Sequence, residues 1–459
     1  MKGVDSSLYQ FLPEYKQIHM IGIGGSGMFP LAEILHADGH VLTGSDNNEG
    51  DTLNQVRQMG VRVYMGHRPE NLKGAQLVVY SAAISPQNPE RVAAEQMGIP
   101  TMERAELLGL VTEHYHNTYG ICGTHGKTTT SSLLTQILLM SGKDPAAVIG
   151  GKLPLMGNSS GRMGAGELMV CESCEYVDTF LHLSPDTAVI LNIDDDHLEY
   201  FKTMENLKAS FRKFASMAGR GVIYNGDDAN TCEALKDLPG RRTTFGLASS
   251  NDYYAEKITV EDGRYHFDVM KHGAFCFRTS LKIPGKHNIL NALAAIACAD
   301  AEGVSYSDME KAVDSFGGAH RRFEKLGVLE TGADFFDDYA HHPTELKATL
   351  SAAKSLHYKR VIAVFQPFTF SRTAMLLDDF ADALRLADRV ILAPIMGSRE
   401  INTYGIESRH LADKIPGAVV LPDFETISDT LKKETEPGDM VITLGCGDIY
   451  KVAHIALEK

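Results

Sequence analysis

Ile18-His19-Met20-Ile21-Gly22-Ile23-Gly24-Gly25-Ser26-Gly27 carries the fold reading: an apolar strand over 18–23 runs straight into a glycine turn, Gly22-x-Gly24-x-x-Gly27. A helix is expected from Met28 to about Asp38, with Gly39 as its stop. At such a turn, backbone N–H groups and the positive end of the helix dipole favour a pyrophosphate. Gly22, Gly24, Gly25, Ser26 and Gly27 are the expected contacts. Asp46, near the end of the next strand, is placed to accept from a ribose or a base, and Ser81 ends a further strand-like run. The usual assignment for this pattern is NAD, but the motif does not separate NAD from another nucleotide diphosphate. The bland alternative is a tight strand–helix turn with no ligand.

Working outward, strand-like runs recur at 41–43, 61–65 and 77–81, separated by helical patterns at 52–59 and 90–97. Alternating strand and helix means a parallel sheet with helical crossovers. A second block follows a polar, histidine-bearing linker at 112–117. Its strand, 118–122, leads into Gly123-Thr124-His125-Gly126-Lys127-Thr128-Thr129-Thr130 and a helix to Met140, stopped near Gly142. Leu133, Leu134, Ile137 and Leu138 form one apolar stripe on that helix. Buried strands are expected at 168–171 and 188–191. Residues 253–260, 264–270 and 274–283 alternate apolar and polar and read as an antiparallel meander turning at Glu261-Asp262-Gly263 and Lys271-His272-Gly273. An alanine-rich helix follows over 288–301. The third block opens near Arg321 and alternates again: strand 335–338, helix 344–354, strand 360–365, helix 373–386, strands 390–393 and 440–444, then Gly445-Cys446-Gly447-Asp448 and a last helix. The fold class expected is α/β in three domains. A Rossmann-like domain covers 1–108. A central P-loop ATPase domain with the meander covers 109–320, and a second Rossmann-like domain covers 321–459.

Length and charge fit this division. At 459 residues, about 150 per domain gives roughly three. Lys plus Arg number 44 against 59 Asp plus Glu, a net charge of −15, which speaks against sequence-independent binding of nucleic acid or of an anionic membrane. No run of 18 apolar residues predicts a transmembrane helix, and Met1-Lys2-Gly3-Val4-Asp5-Ser6-Ser7 lacks the blocks of a signal peptide. Seven scattered cysteines point to free thiols in a reducing cytoplasm, with Cys171-x-x-Cys174 incidental. A monomer or homodimer is expected.

The strongest local chemistry is in the second glycine string. Its glycines let backbone N–H groups wrap phosphate oxygens, Lys127 reaches the β- and γ-phosphates, and the Thr128 hydroxyl suits Mg²⁺. It is a shortened phosphate loop with glycines at 120, 123 and 126, because Ile121 stands six before Lys127. Glu172 and Asp194-Asp195-Asp196-His197 end two strands of the same sheet. Ligands gather at that edge, so Glu172 and His197 are expected at a metal, with Glu175 behind Glu172. A solvated loop histidine is the alternative for His197. Gly285-Lys286-His287-Asn288-x-x-Asn291 caps a helix that touches adenine, or is an ordinary N-cap. Arg321 and Arg322 clamp a phosphate or merely solvate a linker, and His341-His342, just after a strand, position an amine or carboxylate.

Together these strings resemble the Mur ligase family, the ATP-dependent amino-acid ligases of peptidoglycan synthesis. The likeness rests on the two glycine strings, Asn192-Ile-Asp-Asp-Asp-His197, Gly285-Lys-His-Asn-Ile-Leu-Asn291 and His320-Arg-Arg-Phe-Glu324. It continues through Asp337-Asp-Tyr-Ala-His-His-Pro-Thr-Glu345 and Phe365-Gln-Pro367 with Ser371-Arg372-Thr373. The resemblance implies UDP-N-acetylmuramate at the first glycine loop, against NAD, with ATP and Mg²⁺ in the centre and L-alanine in the third domain. It implies ATP contacts from Gly123, Thr124, Gly126, Lys127, Thr128 and Thr129. Asn291 and His287 would meet adenine, and Arg321 or Arg322 with Asp338 would contact phosphate and ribose. Metal ligation would fall to Thr128, Glu172 and His197. Catalysis would involve Lys127, His197, Arg372, His341 and His342, the last three near the carboxylates of alanine and acceptor. The chain departs from the family's strings at Glu172-Ser-Cys-Glu-Tyr-Val-Asp178, at Phe368 where a His usually follows Gln-Pro, and at Gly445-Cys446-Gly447 in place of Gly-Ala-Gly. The competing readings are a murein-peptide recycling ligase on the same nucleotide, a NAD(P)-dependent dehydrogenase, and a nucleotide-binding switch that retains the loops without turnover.

Overall fold

Strand β1 (Gln17–Ile21) is buried from Ile18 to Ile21 and lies between parallel neighbours, so both its faces are covered. With β2 (Val41–Asp46), β3 (Arg62–Met65), β4 (Leu77–Tyr80) and β5 (Thr101–Glu103) it makes a parallel sheet in the order β3-β2-β1-β4-β5. The chain reverses direction of travel across the sheet at β1, which opens a crevice beyond its carboxyl end. Helix Phe29–Ala37 follows β1, with Pro30 in its first turn.

In the computed structural model residues 11–261, 264–398 and 400–457 are described. The expectations for Met1–Ser7 and for turn residues Asp262 and Gly263 lie outside them. The chain falls into two compact units. One holds residues up to Glu256 together with Asp268–Phe277 and Leu290–Val313; the other holds Lys257–Phe267, Arg278–Ile289 and everything from Asp314.

The first unit also contains β6 (Asn117–Cys122), β7 (Ala146–Leu153), β8 (Ser159–Arg162), β9 (Leu168–Glu172), β10 (Thr187–Ile190), β11 (Gly221–Asn225) and β12 (Arg242–Gly246). They run β12-β11-β10-β6-β9-β7-β8, parallel throughout except for β8. The β7–β8 hairpin was not foreseen. It docks on helix Phe29–Ala37, where Glu33 accepts from Gly161 N at 2.8 Å and a Cβ on Gly161 would strike the Pro30 backbone.

Helix Lys127–Met140 buries the expected stripe of Leu133, Leu134, Ile137 and Leu138, and its polar face is covered as well, from Thr128 through Leu138. Two of its hydroxyls bond back to the preceding turn, Ser131 on Thr128 O at 3.2 Å and Thr135 on Ser131 O at 2.7 Å. The linker at 112–117 is also corrected. Helix Arg104–His114 runs through Thr112, which is fully buried, and residue 109 stands in mid-helix.

The meander is β13 (Tyr253–Glu261), β14 (Arg264–Lys271) and β15 (Ala274–Leu281). Its second turn puts His272 (φ 48°) and Gly273 (φ 82°) in the left-handed region, the signature of a two-residue hairpin.

The second unit's sheet is β16 (Glu324–Val328), β17 (Asp334–Asp338), β18 (Arg360–Phe365), β19 (Arg389–Leu392), β20 (Val419–Val420) and β21 (Asp439–Leu444). The order is β16-β17-β21-β18-β19-β20, with only β16 antiparallel. Phe335, Ile362, Val364 and Val441 fill one face and Phe336, Ala363, Phe365 and Ile442 the other. The helix expected over 373–386 is two, Phe370–Met375 and Leu377–Leu384, broken at Leu376 (φ −110°, ψ 25°). Among the described residues no helix is long and apolar enough to cross a membrane.

Candidate functional site

At the carboxyl edge of the first sheet, Gly22 (φ 77°) donates to Ser45 O at 2.8 Å and Gly25 donates to Gly22 O at 3.0 Å, curling the turn onto itself. A side chain at Gly22 would be strained at that φ. Ser81 stands beside Gly22. Asp46, expected to accept from a ribose or a base, turns its carboxylate here to the loop's own backbone. It accepts from Gly24 N at 3.0 Å, Asn47 N at 2.8 Å and Asn48 N at 3.1 Å, and so braces the loop. Gly25 and Ser26 are exposed.

Beneath this edge lies a polar cluster that the sequence did not reveal. The Glu90 carboxylate, fully buried, accepts from Ser45 Oγ and from Asn71 Nδ2 at 2.6 Å, with His67 Nδ1 at 3.3 Å and His19 Nε2 at 3.5 Å. Burial alone would raise its pKa. Hydrogen bonds from His19, Ser45 and Asn71 outweigh that and hold it down to about 2. Nothing local marks Glu90, which reads as an ordinary first-turn acid.

In the second sheet, β6 delivers Gly123 (φ 142°), where a Cβ would meet Leu191 at 2.9 Å, and the loop ends at Gly126 (φ 87°), whose missing Cβ leaves room for the Asn291 amide. Gly120 is corrected: it lies within β6 against Phe214 and Pro185, outside the loop. Thr124 N donates to Asn192 O at 3.1 Å and His125 N to Asn192 Oδ1 at 2.8 Å, so the turn after β10 straps the phosphate loop. Lys127 Nζ reaches Glu175 Oε2 at 2.9 Å and the carbonyls of Gly123 and Thr124. Burial by itself would lower the lysine's pKa, but the Glu175 carboxylate drives it upward, so the ammonium is fixed in its charged form. Thr128 Oγ1 donates to Glu172 Oε2 at 2.9 Å, and Gly150 N donates to the same oxygen at 2.7 Å. A Cβ on Gly150 would collide with Glu172 and Thr128. Thr129 is buried one residue further into the helix.

The structure thus brings together Lys127, Thr128, Glu172 and Glu175. A hydroxyl and a carboxylate are oxygen donors suited to a hard divalent cation. Of the expected metal ligands, Thr128 and Glu172 meet. His197, in the left-handed region (φ 59°), sits with its ring 4.7 Å from that of Tyr176 and its Nε2 3.6 Å from Asp196. Among the described residues no set of three or more His, Cys, Asp and Glu side chains stands ready to hold a metal, so an all-side-chain cage is absent there. All seven cysteines are free. Cys174 follows Glu172 by two residues and is exposed.

The second unit gathers its own edge. Arg321 is corrected: its Nε donates to Asp337 Oδ2 at 2.8 Å, Nη2 to Gly445 O at 2.6 Å and Nη1 to Gly447 O at 3.2 Å, with the guanidinium over Tyr450 and Tyr339. It holds the loop after β21, while Arg322 lies over the Tyr339 ring at 5.0 Å. Asp338 is buried and accepts from Phe323 N at 2.7 Å and Ala340 N at 2.8 Å; burial pushes its carboxyl up to about 6 against the pull of Arg322.

The histidine pair divides. His342 is buried and caps helix Pro343–Lys354, its Nδ1 accepting from Thr344 N. His341 Nδ1 lies 3.1 Å from Tyr339 O and 3.2 Å from Glu345. Arg372 lies in helix Phe370–Met375, near enough to Cys446 to counter the burial that pushes that thiol up to about 12. His287 opens helix His287–Ala301, one turn before Asn291.

Three family models match in order: the Mur ligase family catalytic domain over 17–116, the Mur ligase middle domain over 121–299 and the Mur ligase glutamate ligase domain over 321–447. A UDP-N-acetylmuramate–L-alanine ligase of Acetivibrio thermocellus is 45% identical over 97% of this chain and 96% of its own. One of Clostridium novyi is 43% identical over 96% and 97%. Among solved structures, the UDP-N-acetylmuramate-alanine ligase of Thermotoga maritima superposes with a TM-score of 0.84 at 27% identity, over 96% of this chain and 98% of that one. A murein peptide ligase of Psychrobacter arcticus gives 0.76 at 25%, over 96% and 98%. With a phosphate loop in its second sheet and whole-length relatives above 40% identity, the chain belongs to the Mur ligase family.

Proposed function

We propose that the protein joins L-alanine to the lactyl carboxylate of UDP-N-acetylmuramate, converting ATP to ADP and phosphate, as a step of peptidoglycan precursor synthesis in the cytoplasm. The observation that carries this is the grouping of Lys127, Thr128, Glu172 and Glu175 at one sheet edge, in a chain 45% identical to a ligase of that name. The working parts are a sugar-nucleotide part up to about residue 108, an ATP part to about 320 and an amino-acid part beyond. The turn at Gly22, Gly24, Gly25, Ser26 and Gly27, with Ser81, takes the uridine diphosphate. The loop at Gly123, Thr124, Gly126, Lys127, Thr128 and Thr129 takes the ATP phosphates, and Asn291 and His287 take adenine.

A carboxylate is a poor electrophile, so it is first made acylating. The lactyl oxygen attacks the γ-phosphorus, the bond to the β-phosphate oxygen breaks, and ADP leaves behind an acyl phosphate. Lys127 offsets the negative charge of that transfer, and Glu175 keeps its ammonium aimed at the loop. Thr128 and Glu172, with phosphate oxygens, are the groups that would hold Mg²⁺, which supplies positive charge against the same oxygens. The neutral amine of L-alanine then attacks the acyl carbon, the C–O bond to phosphate breaks, and the amine proton is lost as the amide forms. Arg372 and His341 are the groups for the alanine carboxylate and the acceptor. Arg322 and Asp338 are the contacts for phosphate and ribose.

Membership in a ligase family leaves the nicotinamide dehydrogenase reading without support. The test is ADP formation with UDP-N-acetylmuramate against a panel of amino acids and a murein tripeptide. Turnover with L-alanine is the expected result. Turnover with the tripeptide alone would replace this reading by the recycling ligase, and turnover with no acceptor dependence would replace it by a nucleotide switch.

A further inference from the structure

We propose that Arg104 is the cation that grips the diphosphate of the sugar nucleotide at the first glycine turn. The inference rests on the reading that this turn takes UDP. The turn offers N–H groups but no charge of its own, since Gly22 to Gly27 contains no ionisable residue. Asp46 places a carboxylate against Gly24 N at 3.0 Å, on the same loop. An anion bound there is repelled by Asp46 and needs a compensating cation.

Arg104 is where such a cation is required. It opens helix Arg104–His114, directly after β5, at the carboxyl edge of the first sheet. Its Cδ, Nε and Nη1 lie 3.1, 3.2 and 3.3 Å from the point where Gly27 would carry a Cβ, so the guanidinium is laid on the loop through the space that glycine leaves. It is half-buried, and among the described residues no carboxylate takes it up. The nearby Glu106, a ready partner for an arginine at a helix start, is engaged in the capping box with the Glu103 backbone at 3.0 Å. A half-buried guanidinium beside a ring of N–H groups is the fork that matches a phosphate in two-point fashion. Its field also reaches Cys171 in β9, where it opposes the burial that raises that thiol.

The test is calorimetric titration of the full chain with UDP and with UMP, for the wild type, Arg104→Gln, Arg104→Lys and Gly27→Ala, with thermal melting of each. Arg104→Gln is expected to weaken UDP about 30-fold and UMP less than about 3-fold, as loss of a charge-assisted pair implies. Arg104→Lys should fall between. Gly27→Ala, by displacing the guanidinium, should mimic Arg104→Gln and add little to it in the double variant. In turnover, KM for the sugar nucleotide should rise by the same factor while kcat and KM for ATP stay within about 2-fold. Equal weakening of UDP and UMP, unchanged UDP affinity, or loss that tracks a fall in melting temperature would each overturn the proposal. A wild type that binds neither UDP nor UMP would remove the underlying reading as well. A wild type that binds UDP no better than Arg104→Gln removes only the role of Arg104.

Discussion

The two glycine turns of the first unit are built alike and charged differently. Each follows a buried parallel strand, opens a helix and depends on a glycine in the left-handed region, Gly22 in one and Gly126 in the other. The first has no cation in the turn, and its nearest carboxylate, Asp46, is hydrogen-bonded to the loop itself. The second has Lys127 inside the turn, with Glu175 and Glu172 already on its lysine and threonine. A diphosphate that stays intact needs only a fixed grip, from backbone N–H groups and one cation, such as Arg104, laid against the turn. A phosphoryl group that is transferred gathers charge in the transition state, and mobile or ion-paired charges are what follow it. The contrast teaches that the same backbone device becomes binding or catalytic according to the side chains that reach it from other strands.

Four substitutions would break or sharpen that contrast. The largest effect belongs to Lys127→Ala, which should lower kcat for ADP formation roughly 1,000-fold while calorimetric UDP binding stays unchanged; loss of UDP binding would mean the two turns are not independent. Next comes Glu90→Gln under the first turn. A carboxylate whose pKa falls from 4.5 to about 2 on folding contributes roughly 3 kcal/mol, present above pH 4.5 and lost as pH drops toward 2. Urea melts at pH 7 should show that deficit, and it should shrink as the pH is lowered past 4.5; a deficit constant with pH would assign the effect to packing instead. Third, Glu172→Gln should reduce kcat roughly 100-fold with little change in sugar-nucleotide KM, because it weakens the oxygen donor beside Thr128. The smallest effect is at Gly24→Ala, whose Cβ would lie 3.0 Å from Asp46 Oδ2 and 2.8 Å from Leu53. It should raise KM for the sugar nucleotide about 10-fold and leave ATP untouched. A rise in KM for ATP would show that the first turn is not confined to the sugar nucleotide.

Much of this was legible in the chain. The strand–turn–helix contexts of Gly22–Gly27 and Gly123–Thr128 were read correctly because glycine, apolar runs and helix starts are local signals. The strand Arg360–Phe365 appears over the span expected. The β7–β8 hairpin was missed because Gly150-Gly151 reads as a breaker. The structure uses Gly150 in a strand because its N–H must reach Glu172 and no side chain fits there. The single helix over 373–386 was wrong at Leu376, since an apolar stripe continues across a kink without recording it. Arg321 and His342 carried motif positions but are held by Asp337, two loop carbonyls and a helix start, partners that only the folded sheet edge supplies.

By itself the sequence determined most of the alternation of strands and helices, the two glycine turns between strand and helix, and the acidic, histidine-bearing end of a strand in the second sheet. These follow from backbone dihedral limits and from periodicity, which act over a few residues. Only the tertiary structure decided which charges meet. Lys127 pairs with Glu175 across 48 residues, Gly150 with Glu172 across 22 and Ser45 with Glu90 across 45. Strand order brings such residues together, and strand order is fixed by how the faces of the whole sheet are buried. A carboxylate or guanidinium acquires its pKa, its partner and its task only after that burial has removed it from water.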